Sequence, residues 1–181
     1  MTQKNSFTKE DLLDSGLGKL FGNDNGKLPT PPMLMMDRIT HISDKGGKYG
    51  KGKIKAELDI DKSLWFFDCH FKGDPVMPGC LGLDGFWQLI GFFLTWIGGN
   101  GRGRALGVKD LKFKGQVRPF HKKITYEIDI RKFITRPTHI AWGDAVLKVK
   151  NKVIYIAKDL QVGLFESLTW DYGKDPALDP F

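Results

Sequence analysis

The chain is poor in cysteine, in acidic residues and in unbroken apolar runs. Only Cys69 and Cys80 occur among 181 residues, too few for a fold assembled by disulfides. They are read as reduced thiols, in keeping with a cytoplasmic protein. The opening residues, MTQKNSFTKEDLL, hold no apolar core and no small-residue cleavage site, so no secretory signal is expected. The longest apolar stretch, Leu81 to Gly99 (LGLDGFWQLIGFFLTWIGG), is interrupted by Asp84, Gln88 and several glycines, and no basic cluster abuts it. That pattern favours a buried helix over a membrane span. Aspartate and glutamate total 21 against 28 lysines and arginines, a net charge of +7. The basic residues are scattered. Charge alone therefore admits nucleic acid, an anionic membrane or an acidic protein as partner, and equally a merely soluble surface.

What is present suits one domain over residues 1–181, with 41% hydrophobic residues to build its core. Thr8-Lys9-Glu10-Asp11 has the form of a capping box opening a short helix that Gly16 closes. Asn23 to Pro32 reads as a loop. Strands are expected over Leu34–Ile42, Gly52–Ile60, Ala105–Val117, Ile124–Phe133, Ile140–Val149 and Val153–Leu164, with Asn151-Lys152 turning the last hairpin. Trp170 to Phe181 reads as an extended tail. A helix apolar on every side must be surrounded. The economical arrangement is α+β, an antiparallel sheet curled around that helix. A second subunit would complete the enclosure, so a homodimer is expected.

The chemistry concentrates between Trp65 and Gln88 (WFFDCHFKGDPVMPGCLGLDGFWQ). His70 lies among aromatics, where a neutral imidazole serves as a general base; a core histidine bonded to a backbone carbonyl fits the same context. Pro78-Gly79-Cys80 opens the apolar helix, whose first amides can hold a developing oxyanion; an ordinary helix start reads identically. Asp84 sits about one turn in, where burial would raise its pKa and make it a general acid; a structural hydrogen bond or an interface ion pair is the alternative. Cys80 as a nucleophile lacks an evident base and orienting group. A metal site from Cys69, His70 and Cys80 is disfavoured, because adjacent residues of a strand point to opposite faces and no CxxC or HxxxH spacing occurs. The run Gly98 to Gly103 lacks a GK[ST] ending and links a helix to a strand, so it is not read as a phosphate loop.

These residues resemble the bacterial 3-hydroxydecanoyl-acyl carrier protein dehydratase/isomerase family. The matching segments are LMMDRI (Leu34–Ile39), AELDI (Ala56–Ile60), WFFDCHFKGDPVMPGCLGLDGFWQL (Trp65–Leu89), GRALGVKDLKFKGQV (Gly103–Val117) and KDLQVGLF (Lys158–Phe165). The resemblance runs from about Lys9 to Phe165. It implies a hot-dog fold working as a homodimer, with His70 of one subunit and Asp84 of the other as the catalytic pair. Related dehydratases that do not isomerise carry glutamate at the position of Asp84 and lack the GDPVMPGC wording, so the bifunctional branch is expected here.

The implied reaction removes water from a 3-hydroxyacyl thioester of about ten carbons and moves the double bond from trans-2 to cis-3. It requires no cofactor and no metal. Gly79, with Cys80, is expected to bind the thioester oxygen. Phe71, Val76, Trp87 and Phe113 are expected to line the acyl tunnel. An acidic acyl carrier protein becomes the expected partner, with Arg131, Lys132 and Arg136 as its contact. The alternatives are a monofunctional dehydratase, a hot-dog thioesterase and, remotely, a nucleic-acid-binding module. Against that last reading, most aromatics fall in the core helix and its approach rather than among surface lysines.

Overall fold

The computed structural model describes residues 4–166. The tail expected at Trp170–Phe181 lies outside them. Helix α1 (Lys9–Gly16) opens on Thr8, whose side chain accepts from the Asp11 amide while the Asp11 carboxylate accepts from the Thr8 amide. This is the reciprocal cap that its sequence signals. Strands β1 (Arg38–Ser43) and β2 (Lys53–Asp59) follow, then the short helix α2 (Phe66–Cys69) and the long helix α3 (Gly79–Trp96). Strands β3 (Arg102–Gly107), β4 (Asp110–Phe113), β5 (Lys123–Ile134), β6 (His139–Val149) and β7 (Lys152–Phe165) complete the described elements.

One antiparallel sheet has the order β1-β2-β5-β6-β7-β3, with β4 also paired to β7. It curls around α3, whose Leu81, Phe86, Leu89, Ile90, Phe92, Phe93 and Leu94 are all buried. This is the sheet-around-helix architecture expected, the hot-dog fold. The alternation read in β2 also holds: Ile54, Ala56, Leu58 and Ile60 face the core. Among the described residues no helix is long and apolar enough to cross a membrane.

Four expectations change. Leu34–Asp37 is not strand: Leu34, Met35 and Met36 are all buried in succession, and the Met35 amide donates to the Gln88 side chain at 3.0 Å. An amide bonded to a side chain is withdrawn from a strand ladder. Ala105–Val117 splits into β3 and β4, because β7 bends at Asp159 (φ 55°) and the two short strands pair with it on either side of that bend. The count is therefore seven strands among the described residues, not about six. The last hairpin turns on Lys150-Asn151, since Val149 pairs with Lys152 and Lys150 takes φ 54°, a positive-φ turn that suits the twist of a hairpin. Finally, Cys69 ends helix α2 and His70 follows as its cap, so the strand geometry used against a shared metal does not apply there.

Two glycines of α3 are required by packing. A Cβ at Gly82 would lie 2.5 Å from the Tyr155 ring, and one at Gly85 2.8 Å from the Tyr126 ring. Both rings nest on the bare helix backbone. Gly82→Ala is expected to destabilise the protein by about 1–3 kcal/mol through overpacking, despite alanine's better helix propensity. A lower urea midpoint at unchanged slope is the check.

Candidate active site

His70 caps α2: its amide donates to the Phe66 carbonyl at 2.9 Å. The chain then folds back. The His70 carbonyl accepts from the Val76 amide at 2.8 Å, and His70 Nδ1 lies 2.9 Å from the Val76 carbonyl. A carbonyl only accepts, so Nδ1 carries the proton in that bond, and in the neutral ring Nε2 keeps its lone pair. The carbonyl-bonded core histidine and the general base, opposed as readings of the sequence, are thus compatible in one side chain. The loop between is closed by paired bonds between Phe71 and Asp74. It is tied to the rest of the fold by Arg118, which bonds the Asp74 carboxylate and the Pro75 carbonyl, and by the Met77 amide on the Val117 carbonyl at 3.0 Å. The ring of Phe71 tilts against the imidazole, centroids 4.1 Å apart.

Pro78 is the N-cap of α3, and Gly79 and Cys80 are its first two residues. Their amides have no carbonyl one turn earlier within the helix to accept them. Phe113 packs over Gly79, where a Cβ would sit 2.9 Å from the ring. The glycine therefore has a packing reason beside the anion-binding one expected from the sequence. Both cysteines are free thiols and exposed.

Asp84 projects from the second turn of α3 into a cavity of about 170 Å³, bordered by Trp87, Gln88, Gly91, Phe92, Leu28 and Val162 among others. Burial raises its pKa above the ordinary carboxylate value, and a hydrogen bond from Gln88 partly opposes that. Gln88 is the residue that sequence reasoning missed, having counted it only as a polar break in an apolar run. Its Nε2 donates to Asp84 Oδ2 at 2.5 Å and to the Met33 carbonyl at 2.8 Å, while its Oε1 accepts from the Met35 amide. The available signal was the spacing: a second polar residue four places on shares the helix face with Asp84. Gln88→Leu removes the donor that favours the ionised carboxylate, so the Asp84 pKa is expected to rise further. A carbon-13-detected titration of the Asp84 carboxyl should show that shift.

Within one chain, His70 and Asp84 share no hydrogen-bond partner, and His70 does not border the cavity beneath Asp84. Of the four tunnel residues expected, only Trp87 does so. Val76 is buried, while Phe71 and Phe113 are 55% and 53% exposed on a single chain. Arg131 and Lys132 lie on β5 and Arg136 just beyond it. Arg131 lies 3.3 Å from Asp159 and 3.8 Å from Asp144, and Lys132 sits over the Trp142 ring at 4.1 Å. Asp144 is buried and needs such partners. Arg131 is therefore part of a structural ion-pair network. The cluster also lies toward the end of β5 that packs on the C-terminus of α3, where Phe133 meets Phe93.

A family model described as "FabA-like domain" matches residues 28–158. Among solved structures, the fold is similar to the dehydratase heterocomplex ApeI:P from Xenorhabdus doucetiae. That match has TM-score 0.59 and 12% identity, and covers 75% of this chain and 86% of that one. A thioesterase from Haemophilus influenzae matches with TM-score 0.45 and 14% identity, over 69% of this chain and 77% of that one. At these identities the likeness is one of fold.

Proposed function

Because the chain belongs to the FabA-like domain family, we propose that it dehydrates a 3-hydroxyacyl thioester, with His70 as base and Asp84 of a second subunit as acid. The observation that carries this reading is the His70–Val76 bond, which holds Nδ1–H on a carbonyl and leaves Nε2 to accept a proton. Nε2 removes the proton from C2. Electron density moves onto the thioester oxygen, held by the Gly79 amide at the start of α3. The C3 hydroxyl leaves as water, protonated by Asp84, whose raised pKa suits a donor. Isomerisation to the cis-3 product would follow by the same base, removing a proton at C4 and returning one at C2.

The site takes two chains in this reading. β3 ends the sheet order, and Leu106 on it is exposed together with Phe71 and Phe113. An edge strand flanked by exposed apolar residues invites pairing with its own copy. A dimer formed there would cover the two phenylalanines and bring them to the tunnel they were expected to line. The net charge of +7 favours an acidic carrier for the thioester. Arg131, Lys132 and Arg136 are the contacts we assign to it, Arg131 also pairing with Asp144 and Asp159. Reversing Lys132 and Arg136 to glutamate is expected to raise KM for carrier-bound substrate severalfold and to leave small thioesters unaffected. Equal loss with both substrates would remove the docking assignment.

The direct test is product analysis after incubation with 3-hydroxydecanoyl thioester. Trans-2 and cis-3 enoyl products together support the full reading. Trans-2 alone restricts it to dehydration, and free acid assigns the protein to thioester hydrolysis instead.

A further inference from the structure

Helix α3 carries three glycines beyond its first residue, Gly82, Gly85 and Gly91. Glycine inside a helix is unfavourable relative to alanine, so each calls for a reason. Gly82 and Gly85 have one in the tyrosine rings seated on them. Gly91 does not: the nearest atom to a Cβ there would be Val162 Cγ1 at 3.7 Å, an ordinary contact. What Gly91 borders is the cavity beneath Asp84.

Asp84, Gln88 and Gly91 follow one another at spacings of four and three, along one face of the helix. The cavity has its acidic group toward the start of α3. Apolar walls come from Phe92, Leu28, Val162 and Leu164. Toward the end of α3 it is bordered by Gly26, packed so tightly on Thr95 Oγ1 and Leu164 that a Cβ would lie 2.4 Å from the hydroxyl. On the α1 side stands Ser15, buried, with a hydroxyl that has no hydrogen-bond partner among the described residues. Lys27 and Arg104 also border the cavity. Its apolar walls fit an unbranched hydrocarbon tail whose oxygenated end lies at Asp84.

We propose that Gly91 sets the acyl chain length, keeping this cavity open to a tail of about ten carbons counted from the thioester. The inference rests on the dehydratase reading for the identity of the group at Asp84. A length supports this. Seven residues of helix separate Asp84 from Gly91, a rise of about 10 Å, and an extended chain of tetrahedral bonds advances about 1.2 Å per bond, as a peptide backbone does. That places Gly91 about eight carbons past C3, on the order of a decanoyl chain or slightly longer.

The test uses saturated butanoyl to dodecanoyl N-acetylcysteamine thioesters, which lack the 3-hydroxyl and cannot be dehydrated. Their binding is followed by calorimetry for the full chain, for Gly91→Ala and for Gly91→Leu. Wild-type affinity should climb about fourfold per methylene and level off at about ten carbons. In Gly91→Leu the climb should stop about four carbons earlier. Decanoyl binding then falls on the order of 100-fold while the hexanoyl compound is unaffected. Gly91→Ala, which needs no repacking, should stop about one carbon earlier. An unchanged length profile in both variants, or equal loss at every length in both, overturns the proposal. Binding that follows the expected profiles without any dehydration of 3-hydroxydecanoyl thioester would leave the gauge standing and reject the reaction.

Discussion

Replacing His70 by alanine is expected to lower kcat for dehydration by about 10²–10⁴-fold, and Asp84→Asn by a similar factor, the usual worth of a general base or acid. The double variant should be little worse than either single one, because the two groups act on one transition state and their losses do not add. The rise of enoyl-thioester absorbance gives the rates. The loss in Asp84→Asn would not come from unfolding. Burial raises the Asp84 pKa, so the folded protein holds that proton more tightly than the unfolded chain. The group therefore favours the folded state at low pH, and that advantage is lost as pH rises through its folded-state pKa. Above that pKa the wild type carries the cost of a partly buried carboxylate, which the neutral amide does not. Asp84→Asn should consequently be at least as stable as wild type at a pH above the Asp84 pKa, and the difference should close as pH falls toward the ordinary carboxylate range. A variant that melts earlier at the alkaline end while losing activity would contradict the assignment of Asp84 as a costly functional group.

Mixing the two inactive variants should restore activity. If the acid and base come from different subunits, His70→Ala and Asp84→Asn chains that exchange partners form heterodimers in which one of the two sites has both groups. Random re-association of equal amounts makes half of the dimers mixed, so about a quarter of all sites become intact in a symmetric dimer. Activity should then rise from under about 1% to about 25% of wild type after co-refolding, starting from the ~10²-fold or greater losses of the single variants. Within one chain the two side chains have separate surroundings, His70 on the Val76 carbonyl and Asp84 on Gln88 in its cavity. A site completed by a second chain accounts for that separation. Failure to recover any activity, with heterodimers demonstrated by mass spectrometry, would place acid and base on the same chain or remove one of them from the chemistry.

Much of this was legible from local pattern. The period-2 run in β2, the capping box at Thr8 and the apolar stretch of α3 each named their element, because such patterns report burial on one face or on all faces of a regular backbone. The pattern failed where the backbone was neither strand nor helix. Leu34–Asp37 looked like strand from its apolar content, yet it lies across α3 with an amide on Gln88. The split of β3 from β4 depends on the left-handed turn of β7 at Asp159, some fifty residues away. Nor could local pattern show that Asp144 and Asp159 approach Arg131 from neighbouring strands.

The sequence by itself determined that a helix apolar on all sides sits inside an antiparallel sheet, and that a histidine and an aspartate flank the start of that helix. Residue type, period and the cost of burying charge suffice for those statements. Only the tertiary structure decided which imidazole nitrogen is left free, what holds the carboxylate, and which glycine borders open space rather than a tyrosine ring. Each of these depends on groups distant in the chain meeting within a few ångströms, and local periodicity carries no information about such distances.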